Sequence, residues 1–353
     1  MRPDKSLIDI PRTVAFTVAA SAMLTIGTAA TAEQTWKVQT SMSAGESFYT
    51  NIEERWLPKL EAMTGGELKI ELTPVGSVVP YNETMDAIDQ GILQGDITAT
   101  VYFSGRSKVF AILGDLIAGY ETPDQIGMFC YHGGGRELIQ EAFDTYAENV
   151  KVVGCGSIAR ESFTSKVPIR TLEDLKGIKM RSPEGLAAEV FSRAGASPVA
   201  LPSSEVYTSL DKGVIDASDF SSYTMDESVG LHEIAKFPIY PGIHSMPVIQ
   251  FTVNKAAWDS LTEAQQTILD VWYRAMIDDL IMDNEITDRE LVARDRNDPA
   301  RGVEVIDWSK EDRDKLREIA AGAWADFAET DDLAKRAYEA NIAFMKKIGL
   351  LAE

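Results

Sequence analysis

"PYNETMDAIDQGIL", residues 80–93, has a counterpart 122 positions later in "PSSEVYTSLDKGVI", residues 202–215. Both begin with Pro, place a Glu three residues on, and end in an apolar-Asp-x-Gly run followed by two apolar residues. Each reads as a capped helix stopped at a glycine, Gly91 or Gly213, where the left-handed C-cap suits a residue without Cβ. A strand should follow each, through "QGDITA" and "DASDFSS". The spacing is too long for a stacked solenoid. It fits an α/β chain of two lobes built alike, each sending a strand to a shared crevice.

Outward from this pair the pattern stays α/β. Val38–Thr40 is strand-like, residues 46–64 form an amphipathic helix closed by Gly65-Gly66, and "ELKIELTP" (67–74) alternates as a strand. Residues 123–148 read as helical, with the Gly133–Gly135 run inside or between helices. "VKVVGCG" (150–156) is an apolar strand ending in glycines and suits a crossing between lobes; "PVIQFTVNK" (247–255) suits the return. Thr262 and Gln265 make a capping box, and the helix they open meets no Gly or Pro until Pro299. At 1.5 Å per residue that helix spans roughly 50 Å, enough to bridge both lobes or to pack on another subunit. A last helical stretch starts at Ser309. The expected division is 1–32 leader, 33–153 lobe 1, 154–246 lobe 2, 247–308 return and long helix, and 309–353 C-terminal helices.

The leader reading rests on Arg2, Lys5 and Arg12, an apolar run from Val14 to Ile26, and Ala30-Thr31-Ala32. This is the order of a secretory signal peptide, and the apolar run is too short to span a membrane. The mature chain is expected to be exported and soluble. The chain carries a formal net charge of −21, which argues against nucleic acid and anionic membranes as partners. An anionic ligand would then need a basic pocket set against the global field. Cys130 and Cys155 could be bridged after export or could be two small buried hydrophobes.

No constellation for catalysis is present. The three histidines, His132, His232 and His244, form no HExxH. "HGGG" (132–135) lacks any GxSxG nucleophile to serve, and no Walker A or GxGxxG occurs. A non-enzymatic protein without cofactor is expected.

In "DLKGIKMRSPEG" (174–185), Ile178 and Met180 alternate with Lys179 as a strand, and Ser182-Pro183-Glu184 has the order of a helix N-terminus. Arg181 would sit where the strand stops. With the upstream residues Arg160, Lys166-Val167-Pro168-Ile169 and Asp174-Leu175-Lys176-Gly177, the segment resembles the DctP-type solute-binding receptors of tripartite ATP-independent periplasmic (TRAP) transporters. The similarity also takes in "GELKIELTPVGSVVP" (66–80) and runs through most of residues 35–295.

That resemblance implies a two-lobed periplasmic-binding-protein fold with hinge strands and long C-terminal helices. It also implies a receptor that hands an organic acid to membrane permease subunits. The arginine matching Arg181 clamps the ligand carboxylate, as a guanidinium can with two parallel N–H bonds. A subgroup binding 2-oxo acids with a cation looks similar at "YPGIHSMP" (240–247). Its cation ligands fall on Asp219, the backbone of Phe220, Arg160 and Ser245, so two are missing. Arg160 is therefore expected to replace the cation, paired to Asp219 and the ligand carboxylate, and no metal is expected. The same subgroup pairs through long helices, so a homodimer is expected.

The remaining ligand-binding candidates are Ser222, Tyr223, His244, Ser245, Tyr102 and Phe103, with Ser218 and Ser221 beside them. Their small polar character suggests a sugar acid or hydroxy acid. An aromatic acid walled by Phe103, Phe163 and Phe220, or a 2-oxo acid, is the competing ligand.

Overall fold

The structure, a computed structural model, describes residues 33–243 and 245–351. The leader at residues 1–32 and the candidate ligand contact His244 lie outside the described residues.

Two sheets organise the chain. The first contains β1 (Gln34–Thr40), β2 (Leu68–Thr73), β3 (Gly95–Ala99), β4 (Val150–Gly156) and β9 (Ile249–Asn254), in the order β2-β1-β3-β9-β4. The second contains β5 (Phe163–Ser165), β6 (Lys179–Arg181), β7 (Ser197–Val199) and β8 (Ala217–Asp219), in the order β5-β8-β6-β7. The repeat seen in the sequence delivers one strand to each sheet. Helices Thr84–Asp89 and Val206–Asp211 are followed by Gly91 at φ +73° and Gly213 at φ +70°, then by β3 and β8.

The chain leaves the first sheet from β4 and returns in β9, and these two strands pair antiparallel. It enters the second sheet in β5 and ends there in β8, which also pair antiparallel. The outgoing and returning segments therefore run side by side. A Cβ on Gly242 would lie 1.7 Å from the carbonyl oxygen of Glu161. The two segments touch backbone to backbone, and only glycine leaves room.

The helix Glu263–Asn297 belongs to both lobes. Its capping box is made: the Gln265 N–H donates to the Thr262 hydroxyl at 3.3 Å, and the Thr262 N–H to the Gln265 side chain at 2.9 Å. Trp272 and Tyr273 pack on Phe251 of β9, and their polar tips donate to the carbonyls of Trp56 and Ile249. Further along, the helix buries Asn284, Asp288 and Asp295, which accept from Ser222, Thr224 and Tyr223 just beyond β8. The C-terminal helices Lys310–Ala328 and Asp332–Lys347 follow. Near them the Trp308 indole donates to Ile169, and the Trp324 indole to Ile117.

Cys130 and Cys155 are joined in a disulfide between the helix Pro123–His132 and β4. Among the described residues no helix is long and apolar enough to cross a membrane.

Candidate functional site

Strands β6 and β8 run parallel with Arg181 opposite Ser218, so Arg181 and Asp219 arrive together at the same end of the second sheet. The Arg181 side chain is buried, with the residue 4% exposed. Its Nε donates to the Leu201 carbonyl at 3.1 Å and its Nη1 to the Asp219 carbonyl at 2.5 Å. Two backbone acceptors thus fix the guanidinium plane, while the Tyr102 hydroxyl faces it from the first sheet's side. Burial raises the Tyr102 pKa, and the Arg181 charge opposes the rise.

The helix expected from Ser182 begins later, as Leu186–Arg193 with Gly185 at φ +115° before it. Ser182 does not cap it. Its hydroxyl donates to the Asp219 carboxylate at 3.3 Å, and its N–H extends the sheet toward Val199. At Gly185 a Cβ would sit 3.0 Å from the Ser104 hydroxyl, so the chain passes close to the first repeat before turning helical.

Beside Asp219 stands Glu161, in hydrogen-bond contact with it and with Ser245. Burial and the neighbouring carboxylates of Asp219 and Asp115 hold the Glu161 carboxyl well above the usual range. Ser245 donates its hydroxyl to Asp115 at 2.5 Å, and its carbonyl accepts the Glu161 N–H at 3.0 Å. A cavity opens in front of this cluster. Met42, Phe48, Ala99, Ile158 and Phe220 give it apolar walls; Ser41, Glu46, Tyr102, Glu161 and Ser221 give it polar ones.

Arg160 does not enter that cavity. Its Nη2 donates to the Glu121 carbonyl, and the side chain lines a separate pocket of about 500 Å³ with Arg313 and Arg317. The expected pairing with Asp219 is replaced by Glu161, whose neighbouring position on the chain puts it on the opposite side of the segment. Three other candidates are committed elsewhere. Phe103 lies in the core, edge-on to Phe110 and Phe143. Ser222 caps the helix Tyr223–Ser228 and donates to Asn284 at 2.7 Å. Tyr223 is buried, donates to Asp295 at 2.7 Å and packs on His232 and Tyr240. Each of these has the polarity or size of a ligand contact, and each spends it on internal structure instead. The site thus brings together Arg181, Asp219, Phe220, Tyr102 and Ser245, and adds Glu161 and Glu46.

Two places hold groups a cation could use. One is the Glu161–Asp219 carboxylate pair. The other gathers Glu227, His232 and Asp295, whose ligand atoms lie within 4.8 Å of one another. There Arg294 and Arg301 already ion-pair with both carboxylates at 2.6–2.8 Å. The hydrogen bond from His232 and the charge of Arg294 hold Glu227 down to about 2. This second group is an ion-pair network fastening the long helix to the second lobe.

Comparison with known proteins agrees with this architecture. Residues 38–331 match the DctP family model, described as bacterial extracellular solute-binding protein, family 7. A monocarboxylate 2-oxoacid-binding periplasmic protein of Nostoc sp. is 30% identical over 316 residues, covering 89% of this chain and 84% of that one. An apo, open TRAP periplasmic solute-binding protein of Rhodobacter sphaeroides superposes with a TM-score of 0.74 at 41% identity, covering 91% of this chain and all of that one. A TRAP periplasmic solute-binding protein of Pseudoalteromonas atlantica with bound sodium and pyruvate gives 0.76 at 26% identity, covering 90% and 95%.

Proposed function

Because the chain belongs to family 7 of the bacterial extracellular solute-binding proteins, we propose that it is the periplasmic receptor of a TRAP transporter, binding a small organic acid and delivering it to the membrane permease. Arg181 carries this reading. A buried guanidinium is held flat by two backbone carbonyls and meets the Tyr102 hydroxyl with its remaining N–H groups, a planar fork that would receive a carboxylate. Tyr102, Phe220 and Ser221 would shape the rest of the pocket. The relative named for monocarboxylate 2-oxo acids favours such an acid, and a hydroxy or sugar acid also suits the polar lining.

Residues 33–153 and 154–246 would then be the lobes that close on the ligand, with 247–308 returning to the first and 309–353 bracing both. Closure needs contacts that exist only with ligand in place. The protein would act by binding alone, without chemistry on its ligand. The disulfide suits export to an oxidising compartment. On the long helix, Val271, Met282 and Ile286 are exposed apolar side chains, and Met128 is another nearby in sequence to the disulfide. They favour a homodimer, which sedimentation at micromolar concentration tests; a monomer there removes that part of the proposal.

The decisive experiment is thermal shift against a library of organic acids, with the products analysed. Stabilisation by an acid that is recovered unchanged supports the receptor. Turnover of the acid, or no stabilisation by any acid, overturns it.

A further inference from the structure

A second cavity, of about 500 Å³, counts none of Arg181, Tyr102, Glu161 and Asp219 among its lining residues. Three separate parts of the chain build it. Arg160 comes from the outgoing crossing, Pro241 and Gly242 from the returning one, and Arg313 and Arg317 from the helix Lys310–Ala328. In a chain of formal net charge −21, this cavity gathers Arg160, Lys310, Arg313 and Arg317.

Two of these cations are already neutralised. Lys310 pairs with Asp314 at 2.6 Å, and Arg313 with Asp307 at 2.8 Å. Arg313 also donates to the carbonyls of Trp308, Gly242 and Pro241 at 2.9–3.3 Å, which makes it a strut between the returning crossing and the helix.

Arg160 and Arg317 remain, and they converge on one residue. Arg160 Nη2 donates to the backbone carbonyl of Glu121, and Arg317 Nη2 to its carboxylate at 3.4 Å. The Ala118 carbonyl fixes Arg317 Nε at 2.8 Å. A guanidinium has five N–H donors, so most of both forks is not spent in these bonds. Glu121 supplies little charge to either, because its side chain is 56% exposed and its contact is long. Among the described residues Arg160 makes no ion pair, and its Nε is buried without an acceptor. Burial draws the Arg160 pKa below its ordinary value, partly offset by Glu285. A partly buried guanidinium keeps its charge, and it is costly until a negative partner arrives.

We infer that this cavity is a second anion site, which takes a small, multiply charged oxyanion between Arg160 and Arg317. Paired oxygens on a phosphate or on a compact dicarboxylate match the guanidinium fork equally. The site is separate from the crevice and independent of the solute held there. Once bound, the anion ties the outgoing crossing to the C-terminal helix. It does so one residue from Glu161, whose carbonyl packs against Gly242. Glu121 competes for the Arg317 fork, so removing its charge strengthens the site.

The test follows Tm of the mature chain, residues 33–353, titrated with inorganic phosphate, sulfate or malonate. Potassium chloride at matched ionic strength controls for screening. A Kd of about 0.1–1 mM gives a saturable rise of roughly 2–4 °C at about 10 mM anion. Whether phosphate and sulfate or malonate gives that rise tells a tetrahedral ligand from a dicarboxylate. Arg160→Gln and Arg317→Gln should each weaken binding at least about tenfold, and Glu121→Gln should tighten it about three- to tenfold. Arg181→Ala should respond as the wild type does. No rise with any of the three anions overturns the inference, and so does a rise that chloride reproduces. A response undiminished in either arginine variant does the same, as does one lost in Arg181→Ala, which would move the anion into the crevice. Glu121→Gln that binds no better than the wild type also overturns it, and that readout needs neither arginine variant to fold.

Discussion

The guanidinium of Arg181 donates to the backbone carbonyl of Asp219, while the Asp219 carboxylate turns the other way, toward Ser182 and Glu161. The arginine is thus anchored by peptide groups and its charge is not cancelled by the acid next to it. An anchor of that kind positions the side chain without consuming the charge a carboxylate ligand needs.

Arg181→Ala should therefore do two separable things. Ligand affinity should fall at least about 100-fold, the scale of a lost bidentate charge-assisted contact. The Leu201 and Asp219 carbonyls lose their donor, so the unliganded protein should also lose about 1–3 kcal/mol. Arg181→Lys should keep part of the stability and little of the affinity, because one ammonium cannot replace a planar fork. Calorimetric titration and denaturant unfolding separate the effects; full affinity in the alanine variant would refute the clamp.

Arg160→Ala should behave differently. Its side chain reaches Glu121 and the pocket shared with Arg313 and Arg317, outside the cavity that Glu161 and Phe220 line. Ligand affinity should stay within about threefold, with a stability loss near 1 kcal/mol for the uncapped carbonyl. A loss of affinity as large as that at Arg181 would place Arg160 on the ligand after all.

Asp96 offers a pH test. On β3 it is fully buried and accepts hydroxyls from Thr84 at 2.6 Å and Thr252 at 2.5 Å. Burial pushes its pKa up to about 6 from 3.8. Between those values the folded state keeps a proton that the unfolded state has released, so this group's contribution to stability falls as pH rises through the window. The whole effect is of order 3 kcal/mol. Asp96→Asn, with hydroxyl partners free to turn, should gain on the wild type as pH goes from 4 to 7. Unfolding free energies at the two pH values check it; a difference independent of pH contradicts the assignment.

The Cys130–Cys155 bridge closes a loop across a sequence separation of 25. Replacing both with alanine should cost about 3 kcal/mol on the loop-entropy estimate, a fall of several degrees in Tm for a domain of this size. Both residues are fully buried, so reductant should act slowly on the native protein and quickly once it unfolds. Equal stability of the oxidised and double-alanine forms would show that the bond does not constrain the unfolded chain.

Much of the architecture is written in periodicity. The repeated helix-Gly-strand unit and the Thr262 capping box are local signals, and both appear where the residues place them. The helix expected at Ser182 starts at Leu186 instead, because the Ser182 hydroxyl is drawn to Asp219 from another strand. No nearby residue announces that. The exchange of Arg160 for Glu161 has the same origin. Residues 157–162 are irregular, so nothing periodic tells which of two adjacent charged side chains faces the crevice. The deciding contact, Gly242 against the Glu161 carbonyl, comes from a segment about eighty residues further along. Glu46 carried no motif at all; its only signal is an acid just ahead of an apolar helix, common on any surface.

The long helix has a consequence for the order in which the protein is made. Asn284 and Asp288 hold Ser222 and Thr224, a few residues beyond β8, yet they are synthesised some sixty residues later. A nascent chain that has completed β8 possesses every strand of the second sheet but lacks the braces that hold the segment after it. The end of the second sheet is therefore finished from its C-terminal side, and chains cut short before the end of that helix should retain sheets while losing the ability to recognise a solute.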